Sequence, residues 1–346
     1  MSERRIFLDE GLGEARGVVT LDGAAERLLI RREGDDPRLQ LGARLTALVA
    51  SVEPALSTAF LDLGAGAEAI LQFKPDARPV RGQPIEIEIR SEPRRGKLAI
   101  ARPLGAAEGR PRLIAEAPGL RETLQRLVPD AALVTGAAAR AAADAAEEAA
   151  LAVLHPLPGG GVLAIEPTRA LTAVDVDLAG RRGGDAKRVT RAANLAAIEI
   201  AARLLRLKSL GGIVVLDLVG RGHDAKALLA AARVAFAPDN PGVAIEPVGR
   251  FGTVELSLPR RTRPLAEILC DEGGGLSDRS LAQRLMRRIE AEAAAQPGVR
   301  LSARCAPQVA QAAAPLAAQL TARVGARFTF DPDAARPRER FDVAAI

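Results

Sequence analysis

Cysteine occurs only at Cys270 and Cys305, too few for a disulfide framework. Neither of the two histidines, His155 and His223, has partners at metal-site or triad spacing. Tryptophan and tyrosine are absent, so eight phenylalanines supply all the aromatic content. No apolar stretch reaches the length of a membrane span, because Arg, Asp or Glu interrupts each candidate. The opening residues, MSERRIFLDEG, lack the apolar core of a signal peptide. The Gly-rich PGGGVLAI lacks the Gly-Lys-Ser/Thr ending of a phosphate-binding P-loop. Together these absences set the expectation of a soluble, cytoplasmic protein without a membrane partner.

What is present is a chain of 346 residues, 48% hydrophobic, with ample material for two or three compact units. Basic residues number 48 against 43 acidic, and only five of the 48 are lysines. Arginine grips phosphates with a rigid fork of donors, which suits nucleic acid, although a GC-rich codon bias explains the same excess.

Residues 4–32 read as strands around an Asp22-Gly23 turn. Short strand-like runs follow, ARLTALVASV, STAFLDLG, EAILQF, QPIEIEIRS and KLAIAR, predicting a small five-stranded barrel with an OB-fold as the leading candidate. Residues 111–154 turn Ala-rich and helical, and PLPGGG breaks the chain. Beyond it strands alternate with helices, including a long amphipathic helix over 189–207. Helices over 278–295 and 307–322 belong to a separate small α/β unit at the end of the chain.

Two strands carry acids among apolar residues, LTAVDVDL with Asp175 and Asp177, and GGIVVLDLVG with Asp217. Asp175 and Asp177 share one face of their strand, which costs repulsion and, in a buried strand, desolvation. The helix between the two acidic segments is long enough to bring them side by side, about 4.8 Å apart. Carboxylates so placed can grasp one divalent cation, and magnesium suits one or two carboxylates plus water and phosphate oxygens. The alternative is that each Asp ends its strand and caps a loop or pairs with Arg.

The run RALTAVDVDLAGRRGGD followed by NLAAIEIAARLLRLKSLGGIVVLDLVG and GRFGTVELS resembles the catalytic core of the ribonuclease E/G family. GARLTALVASVEPALSTAFLDLGAGAEAILQF resembles that family's inserted OB-fold RNA-binding domain. The resemblance implies an α/β (α+β multidomain) architecture. Its parts are a ribonuclease H-like subdomain over 1–38 plus 105–157, an OB-fold over 39–104, a deoxyribonuclease I-like catalytic core over 158–270, and a small C-terminal α/β unit over 276–346. It implies a magnesium-dependent endoribonuclease acting on single-stranded RNA, with Mg2+ at Asp175 and Asp217. Asp177 stands where the family has Asn supporting the attack geometry. Phe60 matches an RNA-stacking phenylalanine, whereas the second such position is Ile70, with Phe73 three residues on. Arg95 matches a family basic position, and Lys97 adds charge beside it. Arg181 and Arg182, in GRRGGD, are candidates for phosphate contact, against the plainer reading of a solvated loop. His223, in GRGHDAK, could approach phosphate or simply begin a helix.

The family's long 5′-monophosphate-sensing segment after the OB-fold is essentially missing, which implies no 5′-end sensing. Its Cys-x-x-Cys zinc link is reduced to Cys270 in LAEILCDEGGGLS, so no zinc is expected. A homodimer through 276–346 would rest on packing alone. These departures support an alternative, a catalytically weak or inactive RNA-binding or assembly factor of the same descent. A different phosphate-transferring enzyme on the same acidic core is the third reading.

Overall fold

The computed structural model describes residues 3–178 and 186–346, which form a mixed α/β protein. Arg4–Glu10, Glu14–Leu21 and Ala24–Arg32 form an antiparallel meander, with Leu133–Val134 added in parallel beside Arg4–Glu10. Asp22 and Gly23 both take positive φ, the backbone a two-residue hairpin turn requires. Alternation separates the two faces of this sheet. Ile6, Leu8 and Val19 bury against Leu120 and Leu124 of helix Leu120–Leu127. Phe7, Val18, Leu28 and Ile30 pack instead with the alanine stripe Ala139, Ala143, Ala146 and Ala150 of helix Ala137–Leu151.

Between these pieces lies the expected barrel. Strands Arg44–Glu53, Thr58–Asp62, Glu68–Gln72, Ala99–Ala106 and Pro84–Ser91 pair in that order, and the last closes onto the first. Leu45, Ala47, Ala59, Leu61, Ile87 and Ile89 fill its interior. Arg112–Ala115 follows directly and pairs back onto Arg44–Glu53.

The third sheet has six strands, ordered Leu154–Pro156, Val162–Pro167, Thr172–Asp177, Gly212–Asp217, Thr253–Leu258 and Ala244–Ile245. Helices Ala186–Leu207 and Ala225–Ala235 cover one face, where Val174, Val176, Val214, Leu216, Val254 and Leu256 are buried. Helix Ala186–Leu207 also packs on strand Ala24–Arg32, so one apolar core joins the first and third sheets.

Strands Phe328–Pro332, Leu301–Cys305 and Asp342–Ala345 form the last sheet, packed with helix Asp278–Ala295. The helix expected over 307–322 is two helices, Pro307–Ala313 and Ala317–Val324, joined by the tight turn Ala314–Leu316. Pro315 has no N–H to continue the ladder, which places the break there. No described helix is long and apolar enough to cross a membrane.

Candidate active site

The two acidic strands are neighbours and parallel, and Asp175 and Asp217 are direct register partners. Register partners lie on the same side of a sheet, with the strands about 4.8 Å apart. The two carboxylates therefore rise side by side from the centre of the six-stranded sheet. Asp217 is the last residue of its strand and Asp175 is two from the end of its own. In open α/β sheets this carboxyl end is where ligands are held.

Both aspartates are exposed, which corrects the expectation of a buried strand. Val174, Val176, Val214 and Leu216 take the covered face, and the intervening Asp175, Asp177, Ile213 and Asp217 take the open one. Repulsion remains, but desolvation is small. Neither the Asp175 nor the Asp217 side chain hydrogen-bonds or ion-pairs with any described residue, so neither caps a loop nor pairs with an arginine there. Asp177 ends its strand opposite Val162, on the same face as Asp175 and exposed. Two outward oxygen donors, with no cluster of three His, Cys, Asp or Glu among the described residues, fit a hard cation that keeps most of its water.

The chain after Asp217 is pinned. Asn194, 1% exposed inside the long helix, donates from Nδ2 to the carbonyl of Val219 (3.0 Å) and accepts from its N–H at Oδ1 (3.1 Å). Gly220 has φ +88°, and a Cβ there would come within 2.6 Å of Thr190 Cγ2. The Leu218 N–H donates to the Gly252 carbonyl at 3.2 Å, fastening the loop to the neighbouring hairpin. Asn194 went unassigned in the sequence, where one amide among apolar helix positions was its only signal. His223 belongs to this wall. Its Nε2 is buried without a hydrogen-bond partner among the described residues, and it lines a cavity of about 400 Å³ with Lys187, Thr190, Arg191 and Asp224.

The proposed RNA contacts lie elsewhere. On the barrel, Ala59 and Leu61 point inward and Phe60 points outward, half-buried, so Phe60 is not a barrel-core residue. Its cross-strand neighbours are Ser51 and Ile70, and Ile70 in turn pairs with Ile100. Phe73 packs against the barrel core and is no substitute for Ile70 as an outer platform. Arg95 and Lys97 are exposed on a hairpin facing Leu265–Leu269, where the Arg95 N–H donates to Glu267 Oε2 at 2.6 Å. They line a cavity of about 730 Å³ with Arg94, Arg169, Thr172, Gly211 and Arg260. Thr172 and Gly212 begin the strands whose far ends carry Asp175 and Asp217, so this basic cavity and the acidic pair lie at opposite ends of the same strands. Arg181 and Arg182 lie outside the described residues.

Cys270 caps helix Leu265–Leu269 as a free thiol, pushed up by burial and by Asp271. Cys305 is buried on a strand of the last sheet. His155 is buried and pushed down to about 4 by burial and by Lys208, whose ammonium holds the carbonyls of Ala150 and Ala152. These groups serve packing.

The chain is thus a mixed α/β protein with a closed β-barrel and a parallel strand pair that bears matched carboxylates at its carboxyl end. Residues 120–261 match the family model described as Ribonuclease E/G family. It is similar to Ribonuclease E of Haemophilus influenzae, 35% identical over 147 residues, covering 40% of this chain and 16% of that protein. Ribonuclease E of Escherichia coli K12 is 35% identical over 147 residues, covering 40% of this chain and 14% of that protein. Ribonuclease G of the same strain is 29% identical over 121 residues, covering 34% of this chain and 24% of that protein. The chain thus spans under a quarter of the length of each of these relatives.

Proposed function

We propose that the protein is a magnesium-dependent endoribonuclease that cleaves single-stranded RNA in the cytoplasm without sensing a 5′-monophosphate. The observation that carries this reading is the register pairing of Asp175 with Asp217, exposed and otherwise unpaired among the described residues. Asp175 and Asp217 would hold Mg2+, which when bound supplies charge stabilisation for phosphodiester hydrolysis and lowers the pKa of water. Asp177, on the same open face, takes the role of orienting the attacking water. Asn194 keeps the Asp217 loop in place. The barrel holds the RNA strand, with Phe60 stacking a base and Arg95 and Lys97 neutralising phosphates. Arg181 and Arg182 are proposed as further phosphate contacts. The ribonuclease H-like, OB-fold, deoxyribonuclease I-like and C-terminal units are proposed at the boundaries given above, with a homodimer formed through 276–346 without zinc.

The direct passage from Ala99–Ala106 into Arg112–Ala115 supports the absence of 5′ sensing, since a barrel strand, not a separate pocket, follows. Matched single-stranded RNAs with 5′-hydroxyl and 5′-monophosphate ends, incubated with and without Mg2+, test the reading together. Equal cleavage of both ends only with Mg2+ is the expected result. Binding without cleavage would favour the inactive RNA-binding alternative, and a large monophosphate advantage would contradict the missing sensor.

Phe60→Ala is expected to weaken single-stranded RNA binding by about 1–3 kcal/mol, the worth of one stacked base. Duplex binding should hold, and affinity for both should fall as salt rises, because phosphate contacts release counterions. Fluorescence anisotropy on single-stranded and duplex probes checks this. Equal losses on both probes, or none on either, would remove Phe60 as a base-stacking residue.

A further inference from the structure

Of the eight phenylalanines, Phe251 alone is exposed, at 78%. It sits at the tip of the hairpin joining Ala244–Ile245 to Thr253–Leu258, two residues before Thr253, the cross-strand partner of Asp217. The tip is a fixed turn. The Gly249 N–H donates to the Thr253 carbonyl (2.9 Å), and the Gly252 N–H donates to the Gly249 carbonyl (3.0 Å). The Gly252 carbonyl in turn accepts from Leu218, the residue after Asp217, and a Cβ on Gly252 would lie 3.0 Å from His223 Nε2. Gly252 also takes φ +85°, so this position accepts glycine and little else. The Arg250 guanidinium lies 4.6 Å from the Phe251 ring centroid. An exposed ring normally buries itself, and this one is held out on a tight turn tied by a backbone bond to Leu218, the residue after Asp217.

We propose that Phe251 is a base-stacking residue of the candidate active site. It offers one ring face to a nucleobase of the bound strand while Arg250 covers the other and supplies positive charge toward the phosphates. A base stacked beside Asp217 fixes which phosphate reaches the two carboxylates, so Phe251 sets the register of cleavage as well as affinity. The inference rests on the RNA reading above, and it adds a contact on the α/β sheet itself, separate from those on the barrel.

Because the protein has no tryptophan, Phe251→Trp gives the full chain a single indole at the tip. Its fluorescence is read during titration with an oligouridylate in chelator, which prevents cleavage, and with a ribose-phosphate strand of equal length lacking bases. Quenching by the oligouridylate and none by the base-free strand is the expected result. Phe251→Ala and Phe251→Leu should each weaken oligouridylate binding by about 5- to 150-fold, with Phe251→Trp close to the unsubstituted protein. In Mg2+, the alanine variant should also spread cleavage over neighbouring phosphodiesters. Tight RNA binding by the unsubstituted protein with no loss in Phe251→Ala and no quenching in Phe251→Trp would overturn this inference and leave the ribonuclease reading standing. Failure of the unsubstituted protein to bind RNA at all would overturn both.

Discussion

Asp217→Asn is expected to lower RNA cleavage about a thousandfold or more, and Asp175→Asn to do the same, while each variant should melt at the temperature of the unsubstituted chain. Each amide removes one of two negative charges meant for a shared cation, and losing charge stabilisation worth about 4 kcal/mol of barrier is a thousandfold in rate. The fold should not suffer, because both side chains are exposed and bond to no other described residue. Removing one of two repelling charges costs the folded state nothing. Single-turnover cleavage with circular dichroism melting checks both halves. Full activity in either variant would remove the acidic pair from the mechanism.

The largest effect on stability is expected far from that pair. Arg16 is 1% exposed and ion-pairs with Asp9 (2.6 Å), Asp144 (2.7 Å) and Glu147 (3.1 Å). Arg287 of helix Asp278–Ala295 reaches Glu14 at 2.7 Å and Glu147 at 3.3 Å, and Arg32 reaches Glu14 at 2.7 Å. This network ties the first sheet, helix Ala137–Leu151 and helix Asp278–Ala295 together. Arg16→Met leaves buried carboxylates uncompensated and should cost about 3–5 kcal/mol in chemical denaturation. A loss under about 1 kcal/mol would show that water or rearrangement replaces the guanidinium. Burial pushes the Glu147 carboxyl up, but Arg287, Arg284 and Arg16 outweigh burial and hold it below its ordinary value. A depressed carboxylate contributes stability above its unfolded pKa of about 4.3 and loses it as pH falls through the lower folded value. Acid unfolding should therefore steepen below about pH 4.

Much of this was legible in the sequence because local pattern carries it. Five short strands broken by Gly and Pro announced the barrel, and Asp22-Gly23 announced the hairpin of the first sheet. The acids of LTAVDVDL and GGIVVLDL announced a pair because each stands where alternation should place another residue of its own face. Their exposure was not legible. Val174 and Val176 flank Asp175, Leu216 and Leu218 flank Asp217, and only the packing of one helix layer shows which face is covered. The register of two parallel strands joined by a long crossover is likewise set by packing, not by the connection. Phe251 was invisible for a related reason, since GRFGTVELS reads as a strand and the ring's exposure follows from the turn at Gly249–Gly252. The break at Ala314–Leu316 could have been read from Pro315. The basic hairpin around Arg95 was found, but its place at the opposite end of the acidic strands follows only from how the barrel docks on the sheet.

The central claim is that Asp175 and Asp217 share one divalent cation, and binding tests it without any RNA. Mn2+ substitutes spectroscopically for Mg2+, so electron paramagnetic resonance titration of the full chain reads the site directly. The account predicts a Mn2+ site that Mg2+ competes away and that disappears in both Asp175→Asn and Asp217→Asn. Unchanged Mn2+ binding in the two variants would contradict it.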